Sequence, residues 1–323
     1  MHHRHPAVVE ALGAHFDRLA PAASIPLTDI DDAVTEIERI AGLGLRAITV
    51  PHTPEAPYRD PAYDRVWAAA QACGLVVTFH MGAGIDHALG TATALVDTEP
   101  ALEPPDDTDV TAQVHVTRMI DAAEVAVYPQ RTICSLVGSG ITERFPDLHF
   151  VAVEFHAYWL VSMMAAMDKA FNVGIGQDCS LDFTVGRYDP TRPADDQPGM
   201  YGVFDIDRSW NHPLRPSDDV RRQVHVTFQD DPSALACRHL TGVQTLLWGN
   251  DYPHPEATWP RSRDAVDHLF TDVSAADRTA ITGGITARLF GIQRPPDHRI
   301  DTGAATASTH GRQGRRGRGR LDT

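Results

Sequence analysis

Short apolar runs alternate with helical repeats along most of this 323-residue chain, and each run is cut off by a proline, a glycine or a polar residue. Strand candidates lie near 22–25, 47–50, 76–79, 150–153, 224–228 and 246–248. Between the first two, Val34, Ile37, Ile40 and Ala41 repeat at helical spacing, capped ahead by Thr28 or Asp29 and ended by Gly42 and Gly44. Between the next two, Tyr63, Val66, Trp67 and Ala70 mark one helix face that Gly74 terminates. Strands that alternate with helices at this distance pair in parallel, because the return path between parallel neighbours needs a crossover of helix length. The expected fold class is therefore α/β, a TIM-like (β/α) barrel. Six of the eight strands a closed barrel needs are present.

The polar residues that stop these runs are where chemistry is expected. In a parallel barrel the reacting groups stand at the carboxyl ends of the strands. Leu246-Leu247-Trp248 is followed by Gly249-Asn250-Asp251-Tyr252-Pro253-His254-Pro255, so Asp251 lies just past a strand end. By itself that acid is equally well explained as a turn residue before a proline. His80 directly follows Leu75-Val76-Val77-Thr78-Phe79, and Glu154 and His156 follow the strand 149–153. One such histidine alone is more often a satisfied core residue; three polar strand ends in one repeat point to a shared site. Imidazole and carboxylate donors suit a divalent metal ion, expected to be zinc, with a position left for water or substrate. His80 and Asp251 are the candidate metal ligands, and Asp251, Glu154 and His156 the candidate catalytic residues.

Composition narrows the partners. A formal net charge of −15 argues against nucleic acid, and no apolar run reaches the length of a membrane span. A small-molecule substrate is left as the expected partner, with a homo-oligomer allowed. The four cysteines form no CxxC pair and read as reduced thiols of a cytoplasmic protein. Met1-His2-His3-Arg4-His5 precedes any strand, so nothing would hold its imidazoles in place. Met163, Met164 and Met167 on a helix read as core filler. Residues 85–108 and 174–217 are expected to be long loops over the active face. Residues 293–323, rich in Pro, Gly, Thr and Arg, are expected to form a disordered tail behind a single barrel domain at 1–292.

Arg18-Leu19-Ala20-Pro21, Glu36-Ile37-Glu38-Arg39, Phe79-His80, Glu143-Arg144-Phe145-Pro146-Asp147-Leu148 and Trp248-Gly249-Asn250-Asp251-Tyr252-Pro253-His254-Pro255-Glu256 resemble the amidohydrolase-related family. This is the group that includes aminocarboxymuconate-semialdehyde decarboxylase and related aromatic-acid decarboxylases. The resemblance runs from about Asp17 to Gly291 and is most specific at Gly249–His254. It implies a TIM-like barrel with one divalent metal, usually zinc, and hydrolysis or non-oxidative decarboxylation of a small carboxylated ring compound. His80 matches the family's metal histidine at the end of its fifth strand, and Asp251 its metal aspartate at the end of the eighth. Glu154 stands where the decarboxylases carry a catalytic histidine, with His156 two residues on.

The family also opens with a His-x-His or similar ligand pair on its first strand, and this chain begins only shortly before the third. The expectation from that departure is a start placed too late or a truncated gene copy, inactive as given, with two unpaired sheet edges. The competing expectation is a non-catalytic fragment or binding protein without metal.

Overall fold

The computed structural model describes residues 4–81, 119–120, 122–174 and 213–293. Within them six strands form one parallel sheet in sequential order: β1 (Ala22–Ser24), β2 (Ala47–Val50), β3 (Val76–His80), β4 (Phe150–Val153), β5 (Val224–Phe228) and β6 (Leu246–Trp248). All six are the strands expected from the apolar runs. Helices Ile30–Gly42 and Asp64–Ala72 fill the first two crossovers, and Asp29 caps the former by accepting from the Asp32 amide. Helix Pro216–Gln223, ahead of β5, carries few apolar residues and gave no periodic signal in the sequence. The expected loop at 85–108, most of 174–217, much of the helix expected near 112–125 and the expected tail lie outside the described residues. No helix among the described residues is long and apolar enough to cross a membrane.

Alternation along the strands divides the sheet into two faces. Ile48, Val77, Phe79, Phe150, Ala152, Val224, Val226 and Leu246 point outward into the main core beneath the helices. There Tyr58, Trp67, Phe79 and Phe150 pack ring against ring at 5.2–6.1 Å. Met163 and Met164 are buried in the same core, as filler. Ala47, Val76, Val151 and Leu247 point inward and form a second, smaller cluster.

That inner cluster closes on a side chain from outside the sheet. Ile285, at the start of helix Ile285–Leu289, sits among the four inward residues, with Ala280, Leu289 and Phe290 against it. The chain then runs back under the first strands. Arg46, just ahead of β2, donates to the carbonyls of Phe290 and Gly291, and the Gln293 amide donates to the Asp17 carbonyl at 2.9 Å. No pairing joins β6 to β1 among the described residues, within which these two strands stand at the ends of the strand order. The occupation of the inner face by the C-terminal helix was not expected.

A histidine pair, His225 buried and His149 half-buried, stands at the same amino-terminal end of the sheet. His225 Nδ1 lies 2.8 Å from the Gln244 carbonyl, which can only accept, so Nδ1 carries the proton and donates. Its Nε2 then accepts from His149 Nδ1 at 3.1 Å. Burial, the largest influence, outweighs the bond to Gln244 and holds the His225 pKa down to about 4, with His149 beside it acting in the same direction. His149 is also lowered by burial, against the opposing charge of Asp147.

A base whose folded pKa is depressed stabilises the fold above its unfolded pKa and loses that contribution as pH falls through the folded one. The window here runs from about 6.5 down to about 4. Across it, His225 should remove up to about 3 kcal/mol of stability, since a full difference in bound protons is worth roughly 1.4 kcal/mol for each pH step of one. Urea midpoints taken across this window should fall more steeply for the wild type than for His225→Gln. The buried Asp219, raised to about 6 mainly by burial, has the opposite slope but is common to both proteins and drops out of the difference. Parallel pH curves for the two would show that the pair is not linked to folding.

Candidate active site

The strand pattern places His80 without strain. Counting by twos from the inward Val76 through Thr78 brings His80 onto the inner face, at the open end of β3. Its Nδ1 lies 2.8 Å from the Met81 carbonyl, so that nitrogen donates. Its Nε2 faces Glu154 Oε2 at 3.4 Å.

Glu154 needs a backbone device to get there. It follows β4 on the parity of the outward Phe150 and Ala152, which would turn its side chain away from the barrel mouth. Instead its φ is +71°, a left-handed conformation that costs a non-glycine residue on the order of 1–2 kcal/mol. The surroundings hold it there: the Glu154 amide donates to Thr227 Oγ1 of β5 at 2.9 Å, and the Ala157 amide donates to the buried Asp231 carboxylate at 2.9 Å. His156 (φ +56°) and Asp251 (φ +59°) are left-handed as well. Among the described residues these three are the non-glycine positions with positive φ, and all three were singled out by strand-end position. Strain kept at such positions is characteristic of functional sites.

Asp251 is set by a loop pinned at both ends. Gly249 continues the ladder by donating to the Phe228 carbonyl, and the Thr258 amide closes the loop by donating to the Asn250 carbonyl at 3.1 Å. Trp248 Nε1 donates to the Gln229 carbonyl, and Gln229 Nε2 donates to the Glu256 carbonyl, tying the loop to the end of β5. The Asp251 carboxyl stands close enough to that of Glu154 for its charge to act on it. Burial, the largest influence, raises the Glu154 pKa from its ordinary value; His80 opposes this, and the neighbouring Asp251 adds to it. His254 Nδ1 lies 3.3 Å from Asp251 Oδ2, three residues on in the same turn.

His80, Glu154 and Asp251 thus come together from three strands, while His156 stands to one side. The His156 ring faces that of Tyr158 at 6.0 Å, and its carbonyl accepts from Trp159 Nε1. Strand-end counting passed over two histidines. His254 was visible in the Asp251 stretch, but its return to the acid depends on the turn. His52 comes just past β2, after Pro51, as His80 closes β3; it is buried, with its ring 4.9 Å from Tyr128 and 6.0 Å from Phe155.

The donor types suit a divalent cation. An imidazole nitrogen and two carboxyls face one another here, and a cation would relieve the crowding of their lone pairs. The number is short of a complete protein site: among the described residues no group of three or more His, Cys, Asp or Glu is arranged to hold a metal ion.

Comparison with known proteins gives a match between residues 3–292 and the family model described as amidohydrolase. No curated protein matches the sequence. Among solved structures, an amidohydrolase from Mycobacterium avium subsp. paratuberculosis K-10 is 20% identical with a TM-score of 0.57, over 84% of this chain and 57% of that one. A 5-carboxyvanillate decarboxylase from Sphingomonas paucimobilis is 18% identical with a TM-score of 0.59, over 89% and 71%. A dihydroxybenzoic acid decarboxylase from Polaromonas sp. JS666, with bound manganese and the inhibitor 2-nitroresorcinol, is 17% identical with a TM-score of 0.55, over 90% and 74%. At these identities the likeness establishes the fold. The chain spans little more than half the length of the Mycobacterium protein.

Proposed function

Because this chain belongs to the amidohydrolase family, we propose that it is a metal-dependent hydrolase or non-oxidative carboxy-lyase acting on a small carboxylated aromatic ring. The observation that carries the reading is the meeting of His80, Glu154 and Asp251 at three strand ends, with the two acids held in left-handed backbone.

His80, through Nε2, and Asp251 would hold the cation, with water or substrate oxygens completing its shell. That small protein donor set suits a hard ion such as manganese, the metal bound in the Polaromonas structure, at least as well as zinc. Such a cation, when bound, polarises a substrate oxygen or acidifies water. The remaining work falls to the side chains. Glu154, whose pKa burial raises and whose carboxyl faces His80, is the group placed to carry a proton. In decarboxylation it would deliver that proton to the ring carbon that loses its carboxylate; in hydrolysis it would take one from water. The Met81 carbonyl orients the His80 ring, a partner commonly needed by a metal-bound histidine. His254, three residues on, keeps its Nδ1 beside Asp251 Oδ2.

The test is metal content and turnover together. Protein dialysed after loading with manganese or with zinc should retain a stoichiometric ion and release carbon dioxide from 5-carboxyvanillate or a dihydroxybenzoate. Asp251→Asn should lose both properties. Failure to retain either ion, with no turnover, would leave a non-catalytic member of the fold.

A further inference from the structure

The described surface exposes three aromatic side chains, Tyr158, Tyr252 and Trp259, and all three stand on the loops that carry the site acids. Tyr158 lies four residues after Glu154. Tyr252 directly follows Asp251, and Trp259 follows Thr258, whose amide is bonded to the carbonyl of Asn250. Tyr252 and Trp259 meet edge to face, with ring centroids 5.4 Å apart and planes at 61°. Each nevertheless remains about three-fifths exposed, 60% and 61%. Two large rings that pack on each other while turning most of their surface to water leave apolar area uncovered, at a cost of roughly 25 cal/mol per Å².

We propose that Tyr252 and Trp259 form the ring-recognition corner of the site, an aromatic angle into which the flat face of the substrate's ring packs. The proposal rests on the metal-dependent reading and names what that reading leaves open, the part of the site that selects for a ring. Three observations bear on the occupant. The corner adjoins Asp251 through the chain: Tyr252 directly follows the acid, and Trp259 follows Thr258, whose amide closes the loop onto Asn250. Its support is rigid: the loop is closed by the Thr258–Asn250 bond and tied to β5 through Gln229, and the Tyr252 amide donates to Asn250 Oδ1 at 3.2 Å. The geometry suits a planar guest, since rings at 61° offer one face and one edge, the two ways in which aromatic rings prefer to meet a third. A saturated ring of the same size has neither the flat face nor the quadrupole.

The test uses the whole chain loaded with zinc and labelled with fluorotryptophan, the Trp259 resonance being identified by its loss in Trp259→Phe. On titration with 2,6-dihydroxybenzoate the Trp259 resonance should move, and with cyclohexanecarboxylate it should stay. Tyr252→Leu and Trp259→Leu, checked for unchanged melting, should each weaken the dihydroxybenzoate by about tenfold, the upper range of an aromatic pair, and the saturated acid by about twofold or less. The proposal is overturned by binding of dihydroxybenzoate with the Trp259 resonance unmoved. It is equally overturned if the Leu variants bind as the wild type does, or if the metal-loaded wild type binds no aromatic acid. A chain that holds no zinc but still shows the ring-dependent shift would remove the metal reading and leave the corner standing.

Discussion

Replacing Glu154 with Gln should lower turnover on whichever ring carboxylate the wild type accepts by about two to four orders of magnitude, the range for losing a positioned acid–base group. The same change should leave the urea midpoint where it was or raise it. The two effects separate for a physical reason. Gln keeps the shape of the side chain and the left-handed backbone, so packing and the bond that the residue's backbone amide donates to Thr227 are untouched. What disappears is a half-buried carboxyl with a second one nearby, a group whose ionised form burial disfavours first and Asp251 further, as the raised Glu154 pKa shows. Removing a charge held at such a cost relieves the fold and disables the chemistry, the trade expected where a site is built against local stability. Steady-state rates, metal content and urea curves on the same preparations decide the matter. An unchanged rate with metal retained would remove Glu154 from the mechanism.

The legible part of this fold was the part written locally. Each strand is an apolar run with a breaker behind it, and the parity of β3 alone put His80 on the inner face. Glu154 shows where that logic ends. Its parity points the wrong way, and only the left-handed turn held by Thr227 and Asp231 brings it back to His80. No composition rule predicts a glutamate with positive φ, since glycine, asparagine and aspartate are the usual occupants. His156 shares the conformation but faces Tyr158, so nearness in sequence to a site residue did not decide its role. The inner face was illegible for a different reason. Ile285 looks like an ordinary helical apolar residue, and its seat among four strands far away in sequence is a tertiary fact.

That seat carries the second large effect. Ile285→Ala should cost about 2–5 kcal/mol, the range for a buried Ile or Leu cut back to Ala, out of a total that for such a domain is about 5–15 kcal/mol. Within that range the upper end is expected. Ile285 is 4% exposed and meets Ala47, Val76, Val151 and Leu247, one residue from each of β2, β3, β4 and β6. In a closed barrel, side chains from facing strands fill the axis themselves. Here one helix residue does so for four strands, and the sheet backbone cannot collapse around a hole without losing its ladder. Ile285→Val, which removes a single methylene, should cost only about 0.5–1.5 kcal/mol. Hydrogen exchange should show protection lost in all four strands in the Ala variant, because the cavity lies between them. The carbonyls of Phe290 and Gly291 that Arg46 holds should be released with it. A loss of less than about 1 kcal/mol, with exchange faster only within Ile285–Leu289, would mean that the helix lies against the inner face without being part of its core.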